Sequence, residues 1–147
     1  MDGYPSGTSH VSRGENQSIM ATAEGTTTAT GIDAVYYLTQ DLARARRFYE
    51  SVLGVRPSLE TTGEGGSFVE YEFADGATFG LAHLPDTPWH ESGGTMFAVP
   101  DVKAAMERAK AAGASVHSDL METPVCHMAW LRDAEGNSFC LHHRKAS

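Results

Sequence analysis

The feature that most restricts this chain is a pattern it uses twice. From Val35 to Gly54 a short apolar run leads to Asp41 and then to a helical stretch that ends at glycine. From Thr95 to Gly113 the same order recurs, with Asp101 at the head of the second helical stretch. Asp41 and Asp101 suit helix N-caps, because a carboxylate accepts the free N–H groups of the first turn. Gly54 and Gly113 suit the left-handed residue that closes a helix. Leu42, Ala45, Phe48, Tyr49 and Val52 fall on one helical face, as do Val102, Ala105, Met106 and Ala109 in the second copy. Each helix is followed by three strand-like stretches. They cover 55–60, 67–74 and 78–84 in the first copy, and 115–118, 125–131 and 138–142 in the second. Gly63–Gly66, Ala74–Ala77 and Asp133–Asn137 serve as turns. The order is βαβββ twice with a period of roughly sixty residues, an α+β class.

The boundaries follow from composition. Residues 1–30 are rich in Ser, Thr, Gly and Glu and show no apolar periodicity, so they read as a disordered leader without a secretory signal. The rest reads as one domain over 31–144, with module one at 31–85, a linker at 86–93 and module two at 94–144. A formal net charge of −8 repels a phosphate backbone, which argues against a nucleic-acid partner. No apolar run approaches the ~20 residues that span a bilayer, so no membrane partner is expected and the location read is cytoplasmic. Cys126 and Cys140 are the only cysteines and read as free thiols.

The run Asp41-Leu-Ala-Arg-Ala-Arg-Arg-Phe-Tyr-Glu-Ser-Val-Leu-Gly54, the turn Asp133-Ala-Glu-Gly-Asn137 and the Ala112-Gly-Ala114 turn resemble the vicinal oxygen chelate superfamily. Its members include glyoxalase I, extradiol dioxygenases, fosfomycin-resistance transferases and bleomycin-binding resistance proteins. The resemblance implies two βαβββ modules in one chain, with curved mixed sheets enclosing a cleft and helices on the outer face. It also implies a homodimer, and leaves open whether each cleft is built across the two chains. It does not name a reaction, because this fold hosts many functions.

In metal-using relatives four cleft positions supply His, Glu or Gln ligands. Carried onto this chain they are Ala34, Gly80, Gly94 and Cys140. Ala and Gly have no donor, and one thiolate cannot make a three-ligand catalytic site. No metal and no other cofactor is therefore expected. The substitutions also predict a roomy cleft, suited to binding more than to Lewis-acid catalysis.

Strand alternation and the resemblance together assign the cleft lining to Tyr36, Leu38, Glu70, Glu72, Met96, Cys126, Met128, Trp130, Cys140 and His142. Glu70 and Glu72 on one wall favour an amine-bearing ligand, unless both are simply solvated. Trp130 can stack a flat ligand or fill the core. Trp89, in the linker, is either a flap or a packing anchor. His142 is the only catalytic candidate named, as a general base, against the plainer reading of a polar strand-end residue. Cys126 and Cys140 read as small buried hydrophobes more readily than as nucleophiles. Arg44, Arg46 and Arg47 read as a solvated helix face with ion pairs. The function that follows is metal-independent binding that sequesters a hydrophobic or amine-bearing compound, as in antibiotic resistance. The alternative is an enzyme of the same superfamily. It would use either metal-free acid/base catalysis or a rearranged metal site drawn from Glu72, Cys140, His142 and Cys126.

Overall fold

A computed structural model describes residues 28–146. The expected leader lies, over residues 1–27, outside the described residues. From Asp33 onward the chain forms one compact unit. Its elements are β1 (Ala34–Leu38), α1 (Leu42–Leu53), β2 (Leu59–Gly63), β3 (Gly66–Glu72), β4 (Thr78–His83), β5 (Thr95–Ala98), α2 (Val102–Ala111), β6 (Ser115–Glu122), β7 (Cys126–Arg132) and β8 (Ser138–Arg144). This is the expected pair of βαβββ units.

Both helices begin as their first residues dictate. The Asp41 carboxylate accepts from the Arg44 N–H and the Asp101 carboxylate from the Ala104 N–H, each at 3.0 Å. Helix α1 closes on Gly54 at φ 65°. In α2 the cap falls on Ala112, and Gly113 takes the positive φ one residue later. The faces expected to be buried are buried in both helices. Arg46 reaches Glu50 along the helix at 3.1 Å and Glu60 across it at 2.5 Å.

Two four-stranded sheets follow, in the orders β1-β4-β3-β2 and β5-β8-β7-β6. In each the first and last strands of the unit pair in parallel and the other pairs are antiparallel, so both sheets are mixed. Two strand boundaries depart from the sequence pattern by four residues each, and the others by less. Strand β2 begins at Leu59, not Val55, since Pro57 has no N–H to give a ladder and Ser58 is the first residue to bond β3. Strand β6 runs on to Glu122 through two register shifts that the alternation of its residues conceals.

The helix-covered faces of both sheets share one core. Phe97 on β5 meets Phe79 on β4, with ring centroids 5.0 Å apart, and Phe48 on α1 meets Phe139 on β8 at 5.8 Å. Edge-on aromatic pairs of this kind add about 0.5–1.5 kcal/mol each to the burial of the rings themselves. Tyr37 joins the halves through polar contacts as well. Its hydroxyl donates to the Ser138 carbonyl at 2.6 Å and accepts from the Thr95 N–H at 3.1 Å. Since each sheet gives one face to this common core, its other face points away from it.

The two hairpins at the far ends of β3 and β7 share a backbone and differ in chemistry. Gly76 and Gly136 both adopt the left-handed region, at φ 88° and 94°, and each donates to the carbonyl three residues back. At the second hairpin the turn is a buried polar hub. The Asp133 carboxylate accepts from the Tyr49 hydroxyl at 2.6 Å, from Asn137 Nδ2 at 3.1 Å, and from the N–H groups of Glu135 and Asn137 at 2.9 and 3.0 Å. Asn137 in turn accepts from the Ser92 N–H at 2.8 Å and donates to the Leu38 carbonyl at 3.3 Å. The first hairpin has Phe73 where the second has Asp133, and Phe73 packs on Phe97. One turn ties the halves with hydrogen bonds, the other with apolar surface.

Candidate functional site

Strand register places the expected lining residues without further assumption, because partners across a ladder point to the same face. On the open face of the first sheet one row reads Tyr36, Gly80, Glu70 and Leu59. The rows beside it read Ala34, Thr78 and Glu72, and Leu38, Ala82, Phe68 and Thr61. On the open face of the second sheet one row reads Met96, Cys140, Trp130 and Ser118, and the next reads Ala98, His142, Met128 and Met121. Cys126 and Arg144 pair one row further on. All ten expected residues thus stand on open sheet faces: Tyr36, Leu38, Glu70 and Glu72 on the first, and Met96, Cys126, Met128, Trp130, Cys140 and His142 on the second.

The four positions that carry metal ligands in relatives do not fit an ion here. Gly80 is buried beneath the ring of Tyr36, its direct partner in the ladder. A Cβ added at Gly80 would stand 2.5 Å from Tyr36 Cε1 and 2.8 Å from Cζ. The expectation of free space at this position is therefore corrected: removing the side chain at Gly80 let a ring from the neighbouring strand lie down on the sheet. Gly94, with φ at +91°, favours glycine on backbone grounds alone. Cys140 is fully buried, and burial pushes its thiol up to about 11. A thiol so placed is a small apolar filler. At pH 8 about one molecule in a thousand would carry the thiolate at Cys140. Iodoacetamide should therefore leave Cys140 unmodified for hours in the folded protein and label it in urea, as peptide mass mapping would show. Rapid labelling of the native chain would contradict this placement. Among the described residues no three His, Cys, Asp or Glu side chains converge as a metal site. In particular Glu72 stands on the first sheet, apart from Cys126, Cys140 and His142 on the second.

The two glutamates have different surroundings. Glu72 is exposed, whereas Glu70 is half-buried and accepts the hydroxyl of Tyr36. Burial and this bond push the Tyr36 phenol up to about 12. Phe68 meets the Tyr36 ring edge-on at 6.1 Å. Trp130 is half-buried between Cys140 and Ser118. Cys126 is buried beside Thr123, whose hydroxyl lies 3.1 Å from its sulfur. Both cysteines are free. Trp89 is an anchor: its indole N–H donates to the Leu38 carbonyl at 3.2 Å and ties the linker to the end of β1. His83 and His143 do matching work in the two halves, each with Nδ1 at 3.0 Å from a carbonyl just beyond the first strand of its unit, Thr39 and Val99.

The sequence pattern also left two residues unnamed. Arg132 follows Trp130 by two on the same face and pairs with Glu91 of the linker at 3.2 Å. Leu59 extends the Tyr36 row, 46% exposed. Strand alternation would have found Arg132, but the shifted start of β2 hid Leu59. The two open faces differ in charge as a result, with Glu70 and Glu72 on one and Arg132 and Arg144 on the other. Among the described residues no helix is long and apolar enough to cross a membrane.

Comparison with known proteins supplies the remaining findings. The model of the glyoxalase/bleomycin resistance protein/dioxygenase superfamily matches residues 31–141. The anthracycline biosynthesis protein DauV of Streptomyces sp. (strain C5) is 30% identical, over 85% of this chain and 46% of DauV. The chain therefore spans about half the length of that relative. Among solved structures, TnmS3, an antibiotic binding protein from Streptomyces sp. CB03234, superposes with a TM-score of 0.67 at 20% identity, covering 81% of this chain and 99% of TnmS3. A glyoxalase family protein from Bacillus cereus superposes with a TM-score of 0.69 at 16% identity, covering 82% and 97%. Likenesses at such identities speak for the fold.

Proposed function

The chain belongs to the glyoxalase/bleomycin resistance protein/dioxygenase superfamily, and from that premise we propose that it sequesters a hydrophobic or amine-bearing small molecule on its open sheet faces, without a metal ion. The observation that carries this reading is the replacement of the superfamily's ligand positions by Ala34, Gly80 and Gly94, with the Tyr36 ring laid over the second of them. An ion held by Cys140 alone would have no second protein ligand. What the faces offer instead is apolar and aromatic surface with a few placed charges, the usual make-up of a small-molecule site. The similarity to an anthracycline biosynthesis protein and to an antibiotic binding protein favours an aromatic, antibiotic-like ligand.

A second copy of the chain completes the cleft in this proposal. Tyr36, Met96 and Met121, on the edge strands β1, β5 and β6, are 39%, 46% and 43% exposed, large apolar side chains left uncovered on the open faces. Each open face points away from its own core, so a facing wall has to come from elsewhere. The acidic face of one copy and the face carrying Arg132 and Arg144 of the other are complementary in charge. A homodimer of this kind has an isologous interface.

A thermal-shift screen of flat, polycyclic antibiotic-like compounds tests the reading, with hits followed by calorimetry in the presence and absence of EDTA. A ligand at one hundred times its Kd adds about 2.7 kcal/mol to stability, a shift of many degrees. Binding should be indifferent to EDTA and accompanied by a dimer in sedimentation velocity. A screen without a stabilising compound, or binding that EDTA abolishes and zinc or nickel restores, would overturn the proposal.

A further inference from the structure

We infer that Tyr36 is the specificity-determining residue of the first sheet's wall. Its ring, seated on Gly80, is a stacking platform for a flat aromatic ligand, and the Glu70 carboxylate beside it, which accepts the Tyr36 hydroxyl in the free protein, is the partner for a cationic group on that ligand. The inference rests on the binding role proposed above and adds the chemical class that the first half selects.

The ring of Tyr36 is fixed on three sides. One face lies against Gly80, where any side chain would displace it, since a Cβ would come within 2.5–2.8 Å of three ring carbons. One edge meets Phe68 at 6.1 Å and an interplanar angle of 80°. The hydroxyl is held by the Glu70 carboxylate. Even so held, the residue is 39% exposed. A ring already immobilised loses little entropy when a ligand stacks on it. Its π face attracts both offset aromatic rings and cations. The row continues through Glu70 to the exposed side chain of Leu59, which extends the apolar floor beyond the carboxylate.

Glu70 is the group that tells one flat ligand from another. In the free protein it accepts a neutral phenol O–H, and the phenol, raised to about 12, stays protonated throughout the physiological range. An ammonium or amidinium group on a stacked ligand would give the same carboxylate a charge-assisted hydrogen bond, which is stronger. At this carboxylate an anionic group would be repelled. The second half does not repeat the device. At the places of Tyr36, Gly80 and Glu70 it has Met96, Cys140 and Trp130, with no carboxylate among them.

The test titrates the full-length protein with three probes. They are 9-aminoacridine, which is flat and cationic at neutral pH, anthracene-9-carboxylate, which is flat and anionic, and cyclohexylamine, which is cationic and not flat. The wild type should bind 9-aminoacridine about tenfold more tightly than either of the others. Tyr36→Leu should lose about that factor for 9-aminoacridine. Tyr36→Phe keeps the platform and releases Glu70, so its affinity should be unchanged or higher. Glu70→Gln should remove the preference for the cation over the anion. Gly80→Ala should reproduce Tyr36→Leu where circular dichroism shows it folded, and the Tyr36 and Glu70 variants decide the matter where it is not. Equal losses in Tyr36→Phe and Tyr36→Leu would mean a structural role for the ring and overturn the platform. Wild-type binding of 9-aminoacridine that none of these substitutions alters would overturn the assignment to Tyr36 while leaving the binding function intact. The same holds if the antibiotic-like screen yields a ligand and none of the three probes binds. Failure of the probes and of the whole screen together overturns the binding function itself.

Discussion

Asp133→Ala should cost the fold about 3–5 kcal/mol, a fifth or more of the roughly 5–15 kcal/mol that holds a domain of this size together. The carboxylate is 7% exposed and accepts four hydrogen bonds, two from backbone and two from side chains. Its removal orphans the hydroxyl of Tyr49, which is fully buried, and two backbone N–H groups of the turn. Each buried donor without an acceptor costs about 1–3 kcal/mol. Tyr49→Phe should cost less, about 1–2 kcal/mol, since the carboxylate keeps its other three donors. Asp75→Ala is the internal comparison. Asp75 sits in the corresponding turn of the first half, is exposed, and accepts only the Ala77 N–H at 3.0 Å. Its replacement should cost no more than about 0.5 kcal/mol. Urea melts of the three variants measure this order directly. Equal losses in Asp133→Ala and Asp75→Ala would remove the polar hub from the account of how the halves are joined.

The same contrast shows what could be read in the chain and what could not. Asp41, Asp101 and Gly54 announce their helices because a cap acts on N–H groups two or three residues away, and the buried helix faces follow from a period of 3.6. The turn at Asp133–Asn137 was legible as a turn for the same reason. Its partners were not, because Tyr49 is 84 positions from Asp133 and 99 positions separate Leu38 from Asn137. Nor does the sequence say that Phe73 replaces a carboxylate with a ring at the matching place. Strand β2 was misplaced by four residues because Val55 looks apolar enough to start a strand, while Pro57 and the Ser58 contact to Glu70 delay it.

For the candidate site, alternation put each of the ten residues on a face, and a period of two is a local property. The state of each residue on that face is not local. Cys140 reads as a possible ligand until it is found fully buried, and Glu70 reads as a free charge until Tyr36 is found on it. The position of the Tyr36 ring depends on the parallel register of β1 with β4, which is set by strands more than forty residues apart. One local signal did exist. Gly80 stands alone between Phe79 and Leu81 in a buried strand, and an isolated glycine there marks a close approach by something.

At alkaline pH the fold should come apart steeply, and the sign of the effect follows from the tyrosines. Tyr37, Tyr49 and Tyr71 are at most 1% exposed. Burial raises all three phenols above their ordinary value of 10. At Tyr49 the charge of Asp133 adds to the rise, and at Tyr71 the hydrogen bond to Glu50 does. Below pH 10 the phenols are protonated in both states and their contribution is fully present. Above pH 10 the unfolded chain releases protons that the folded chain retains, so unfolding becomes favourable with rising pH until the folded phenols titrate in turn. Each such group lowers stability by about 1.4 kcal/mol per pH unit across that window, and three together by about 4 kcal/mol. Urea midpoints measured between pH 8 and 12 should therefore be flat up to pH 10 and fall sharply beyond it. Absorbance at 295 nm should show these phenols ionising together with the loss of secondary structure, in one cooperative step. Tyr49→Phe should shallow the part of the alkaline slope that these three phenols supply by about a third while lowering stability at pH 7. Three phenols that titrate near pH 10 with the fold intact would contradict the buried placement of Tyr37, Tyr49 and Tyr71, and with it the shared core on which both open faces depend.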